Sequence, residues 1–146
     1  MSDQVEALFW GAVAPGVYRT RLRAAPATLA HAAERHGWRA FHLNGGALAT
    51  KAQFLAAGAR ALDFPSYFGQ NWDAFEESLN DMSWAPARGY LVVFDGVAHF
   101  AQAQPDEFGV ALDILRESVK RWHKLGTPLV VLLRGAGRMA GDVPKL

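Results

Sequence analysis

Asp73, Glu77 and Asp81 recur every fourth residue, and Glu76 stands at the border of the same stripe. On a helix such spacing stacks the carboxylates on one face, where two kinds of chemistry are open to them. A carboxylate pair can serve as general acid and base, but that work needs groups flanking a substrate, and side chains one turn apart on a convex helix do not flank anything. The other is recognition of cations, through a field that draws in a partner's Arg, Lys and His groups. From Leu62 to Pro86 there are five carboxylates, Asp63 among them, and no Lys, Arg or His. The chain holds 15 Lys+Arg and 14 Asp+Glu, so this window carries −5 and the remainder +6. Two plainer readings stand beside it: acid stripes are often solvated faces, and Asp73 in a first turn gains from the helix dipole. Like charges at i, i+4 nevertheless repel by about 0.2–0.5 kcal/mol per pair, so the stripe works slightly against its own helix.

The elements that must hold these acids are legible around them. Asn71 is an N-cap candidate, its side-chain oxygen free to accept an orphan N–H of the first turn, and Trp72, Phe75, Leu79 and Met82 share the face opposite the acids. An aromatic turn, Phe64 to Gly69, precedes this helix. Before that, Thr50 and Gln53 have capping-box spacing, and Phe54, Leu55, Gly58, Ala61 and Leu62 form the apolar stripe of a helix that stops before Pro65.

Val17 to Arg23 alternates, with Tyr18, Thr20 and Leu22 on one face and Arg19, Arg21 and Arg23 on the other, as in a half-exposed edge strand whose arginines guard the edge. Pro26 opens a helix with Leu29, Ala30, Ala33 and His36 inward and Gly37 at its end, and Trp38 to Leu43 follows as a strand. Tyr90 to Phe94 and Leu129 to Leu133 are unbroken apolar runs, the mark of strands covered on both faces. Between them the longest helix spans about Pro105 to Leu125, with Phe108, Leu112, Leu115, Val119, Trp122 and Leu125 inward, acids in its first turn and bases in its last. The alternation predicts an α/β fold: a small parallel sheet of three or four strands with helices packed on it.

With 146 residues, 51% hydrophobic and 20% charged, the chain suits a single domain over 1–146, with a core at 38–133, a strand-helix extension at 16–37 and peripheral tails at 1–15 and 135–146. There is no cysteine, hence no disulfide or Cys-ligated metal. No apolar run approaches the ~20 residues of a membrane span, and no leader pattern opens the chain, so a cytoplasmic protein is expected. Neither a P-loop nor a G-x-G-x-x-G motif occurs, and His31, His36, His42, His99 and His123 are scattered and read as structural or solvent-facing. Neither catalysis nor a cofactor nor a metal is expected, and the arginine strand lacks the interleaved aromatics of a nucleic-acid platform.

Pro65-Ser66-Tyr67-Phe68-Gly69-Gln70-Asn71-Trp72-Asp73-Ala74-Phe75-Glu76-Glu77 closely resembles the signature of the barstar family, inhibitors of barnase-type ribonucleases, over a region from roughly Trp38 to Leu133. The resemblance implies a barstar-like fold and a basic ribonuclease as partner, with Tyr67, Phe68, Gly69, Asn71, Asp73, Glu76, Glu77 and Asp81 as the binding surface. Glu77 falls at the family's main acid, which enters the nuclease's phosphate pocket, and Asp73 at its first interface acid; Glu117 corresponds to an acid on the late helix. Here the main acid is Glu instead of Asp, Glu76 replaces an aromatic, and Asp81 to Trp84 lengthens the segment that follows. A module of the same fold that recognises another basic protein is the alternative.

Overall fold

A computed structural model describes residues 2–65, 70–137 and 141–146, with the side chains of residues 2 and 3 left aside. The elements are α1 (Ser2–Ala7), β1 (Gly16–Arg19), α2 (Pro26–Arg35), β2 (Trp38–Asn44), α3 (Lys51–Ala61), α4 (Trp72–Asp81), β3 (Gly89–Asp95), α5 (Val97–Ala103), α6 (Pro105–Lys124) and β4 (Leu129–Leu133). The strands form one sheet in the order β1-β4-β3-β2, every neighbouring pair parallel. This is the expected α/β architecture, at four strands.

The two apolar runs are the central strands, and each residue from Tyr90 to Phe94 and from Leu129 to Leu133 is buried. Because side chains alternate across a strand, they divide between two cores. Tyr90, Val92, Phe94, Leu129, Val131 and Leu133 face a layer built from α3 to α6, meeting Phe54, Phe75, Leu79, Phe100 and Leu112. Leu91, Val93, Val130 and Leu132 face α1 and α2, meeting Leu8, Phe9, Leu29 and Ala33. Burying each such side chain is worth about 1.5–3 kcal/mol, which is why a short sheet holds two helical layers.

Several expectations are corrected at the margins. β1 ends at Arg19 and not Arg23, because β4 ends at Leu133: the Leu133 carbonyl takes the Thr20 N–H at 3.1 Å, and Leu22 N–H turns back to Thr20 Oγ1 at 3.1 Å. Arg19 does not guard an open edge. Its Nε donates to the Val143 carbonyl at 2.8 Å, while its backbone pairs with Pro144 and Leu146, so residues 143–146 cover the edge of β1. The segments read as peripheral tails thus contribute to the cores, with Val143 buried at one end and Val5, Leu8 and Phe9 at the other. Ala30 is on the outer face of α2, where Ala32 takes the inner place, and Leu125 is 63% exposed just past the end of α6.

Candidate functional site

The acids occupy α4 as the spacing requires. Asn71 Oδ1 accepts the Ala74 N–H at 2.8 Å, capping the helix, and Asp73 lies in its first turn. Phe75 and Leu79 are buried at 2% exposure, which forces Asp73, Glu76, Glu77 and Asp81 outward, and all four are exposed. The helix stops at Met82, whose φ of 50° is left-handed. A non-glycine residue there costs on the order of 1 kcal/mol, offset by burial of the Met82 side chain and the bond from Ala85 N–H to its carbonyl at 3.0 Å.

Three indoles fix where α4 sits. Trp72 Nε1 donates to Glu107 Oε2 of α6 at 2.7 Å, at the head of the helix. Trp122 of α6 donates to the Leu79 carbonyl at 3.0 Å, at its foot. Beyond the foot, Trp84 donates to the Leu62 carbonyl at the end of α3, 3.2 Å away. Trp72 is half-buried, with its ring 5.5 Å from Phe54 and Lys51 Nζ 5.9 Å from a ring centroid. On the α3 side Gly58 lets Phe75 come close: a Cβ there would lie 3.0 Å from the Phe75 ring. The exit of α4 is tied by Tyr90, whose hydroxyl donates to the Ala85 carbonyl at 2.7 Å; burial pushes that phenol above its ordinary pKa. No local pattern in the sequence marks Glu107, Trp122 or Trp84 as part of the site. Their contacts with α4 and α3 span 22 to 43 residues, and the one local hint is that Trp84 lies with Trp72 inside the acidic window.

Among the described residues, Asp73, Glu76 and Glu77 have neither an ion pair nor a side-chain hydrogen bond, and Asp81 accepts only from Ser83 Oγ at 3.3 Å. Asp63, at φ 54°, lies 3.8 Å from Arg39. Glu117 is exposed on α6, 3.5 Å from Lys120. Tyr67, Phe68 and Gly69 fall outside the described residues.

A second group of charges lies where β2, β3 and β4 end. Arg134 grips Asp95 with two bonds, Nε to Oδ1 at 2.6 Å and Nη2 to Oδ2 at 2.9 Å, while His42 Nε2 lies 2.7 Å from Oδ2. Its Nη1 donates to the carbonyls of Leu22 and Ala24, at 3.1 and 2.6 Å. Arg134 first, and His42 after it, hold the Asp95 carboxyl below the usual carboxylate range. Through Nη1 Arg134 latches the segment after β1 to the sheet, while its other two bonds and His42 are spent on Asp95. Among the described residues no group of three or more His, Asp or Glu is arranged to hold a metal ion, and no helix is long and apolar enough to cross a membrane.

A family model described as Barstar (barnase inhibitor) matches residues 38–134, more than half of the 146 residues. The match takes in α4, its three indole anchors and the central strands. None of the curated proteins matches the chain.

Proposed function

The chain belongs to the barstar family, and from that premise we propose that it binds and inhibits a basic ribonuclease in the cytosol, with α4 and the loop before it closing the nuclease active site. One observation carries this reading: Asp73, Glu76 and Glu77 stand exposed, without cationic partners among the described residues, on a helix that three indoles hold in place. Free carboxylates on a rigid support meet a partner's cations without first breaking internal bonds, and the helix is ordered before binding. In a ribonuclease the Arg, Lys and His groups that handle substrate phosphate would pair with Glu77 and Asp73 in its place. Tyr67 and Phe68 would add aromatic contact, Gly69 and Asn71 would shape the turn, and Glu76 and Asp81 would widen the acidic surface.

The test is a titration of a basic, barnase-type ribonuclease with the protein while RNA cleavage is followed. Stoichiometric loss of cleavage is the expected result, with an association rate that falls as salt shortens the Debye length from about 30 Å at 0.01 M to about 8 Å at 0.15 M. Cleavage that continues with the nuclease bound, or with no binding to such nucleases at all, would turn the assignment towards a module for another basic protein.

A further inference from the structure

On the other side of the sheet from α4, at the end where β2, β3 and β4 begin, a cleft of about 890 Å³ opens. Its walls include Phe9, Trp10, Arg35, His36, Trp38 and Arg88. Residues 8–15 and 35–37 of this lining precede residues 38–134, so the cleft exists only where the N-terminal segment meets the family domain. That volume lies within the ~300–1,000 Å³ typical of small-ligand sites.

Three features give the cleft a chemical preference. Phe9 stacks on His36 at 5.8 Å and meets Trp38 edge-on at 5.3 Å, which makes a stiff aromatic wall. Trp10, next in the chain, is 64% exposed at the rim, a large flat surface left to solvent. The cations are unevenly answered. Arg35 and His36 both pair with Glu6, whose carboxyl they hold below its ordinary pKa, His36 most strongly. Arg88 has no carboxylate partner among the described residues. Its side chain is placed by Gly37: with φ at 76°, Gly37 accepts the Arg88 N–H at 2.8 Å, and a Cβ on it would stand 2.8 Å from Arg88 Cδ. The missing side chain makes room for the arginine stem.

We propose that this cleft binds a small aromatic anion, its ring stacked on Trp10 and its phosphate or carboxylate held by the Arg88 guanidinium. Arg pairs with either group through a planar fork, and an exposed indole offers a stacking face to any flat ring. The site is independent of α4 and of nuclease inhibition.

The full chain is titrated calorimetrically with AMP, an aromatic phosphate, and with 2-naphthoate, an aromatic carboxylate; adenosine and inorganic phosphate serve as half-ligands. At least one of the two anions is expected to bind one-to-one with a Kd near or below about 1 mM, at least tenfold tighter than the half-ligands. Trp10→Ala and Arg88→Ala should each weaken it about tenfold or more, while Asp73→Ala leaves it unchanged. Which anion saturates identifies the charged group. Saturation by neither, or binding that either variant leaves intact, overturns the proposal. If a variant melts early, the Trp10 indole N–H resonance of the unaltered chain decides in its place: a saturating shift on titration supports the site, and an unmoved resonance refutes it.

Discussion

Asp95 and Glu77 are both carboxylates on the family domain, yet they stand at opposite extremes of engagement. Asp95 is gripped twice by Arg134, touched by His42 and kept 26% exposed. Glu77 stands in solvent with no partner among the described residues, one turn from two other acids. A carboxylate that is answered inside the fold contributes to holding it; one that is left unanswered contributes only when another molecule brings the cation. The two therefore offer opposite profiles to mutation, one in melting and one in binding.

The largest effect would break the comparison by removing the floor beneath the acids. Phe75→Ala empties a side chain 2% exposed between Phe54, Phe64 and Trp72, and a loss of about 3–5 kcal/mol in unfolding free energy is expected by denaturant titration. Glu77→Ala and Asp73→Ala come next and act on the other axis. Each should weaken nuclease binding by about 2–5 kcal/mol, a range to which the barnase–barstar pair itself contributes, because buried cations of the nuclease are left unpaired. The melting temperature should barely move, apart from a dipole loss of about 0.3–1 kcal/mol for Asp73→Ala. Glu34→Ala, exposed on α2 across the sheet, is the control; inhibition by both patch variants equal to this control would remove α4 as the binding face.

Asp95→Asn should give the reverse profile: a destabilisation of about 1–3 kcal/mol with inhibition unchanged, since the guanidinium of Arg134, 13% exposed, loses its carboxylate. The same pair sets a pH signature. The Asp95 pKa is lowered in the fold, so its contribution is present above its unfolded value, about 3.9, and is lost as pH falls through the folded value. Chemical melts of the parent and Asp95→Asn should differ at neutral pH and converge in strong acid. A constant gap down to the acid limit would show that Asp95 stabilises through packing instead of charge.

The smallest effect concerns the anchoring of the site. Glu107→Leu removes the acceptor of the Trp72 indole and should cost about 1 kcal/mol in stability, with faster dissociation from the nuclease. Glu107→Gln, which keeps an acceptor oxygen, should restore most of the dissociation rate. If both variants dissociate like the parent, the head of α4 is set by Asn71 and the aromatic packing alone.

What could be read in the sequence was what is local. The Thr50–Gln53 capping box, the Asn71 cap and the inward faces of α3 and α4 follow from spacings of three and four residues, and each is present. The unbroken runs at Tyr90 and Leu129 betrayed strands buried on both sides. What escaped depends on distant partners. The extent of β1 is decided by where β4 ends, more than a hundred residues away, and the pairing of Arg19 with residues 143–146 has no local pattern at all. Short helices such as α1 and α5 present too few turns for a periodicity, and small residues such as Ala30 and Ala32 are too alike for one to be assigned the core. For the candidate site, charge and spacing made the exposed acidic stripe of α4 legible, whereas the indole pins required knowing that α6 runs alongside α4.

The covering of β1 by residues 143–146 carries a consequence for synthesis. β1 leaves the ribosome more than a hundred residues before β4, its only strand partner among the described residues, and its outer edge waits for Pro144 and Leu146. Helices and the β2–β3 pair can form while translation continues, since their contacts are nearer in sequence. The Gly16–Arg19 strand stays unpaired throughout, with backbone groups open to any neighbouring chain. Its brevity, and the arginines at 19, 21 and 23, limit what such an encounter can build during that interval.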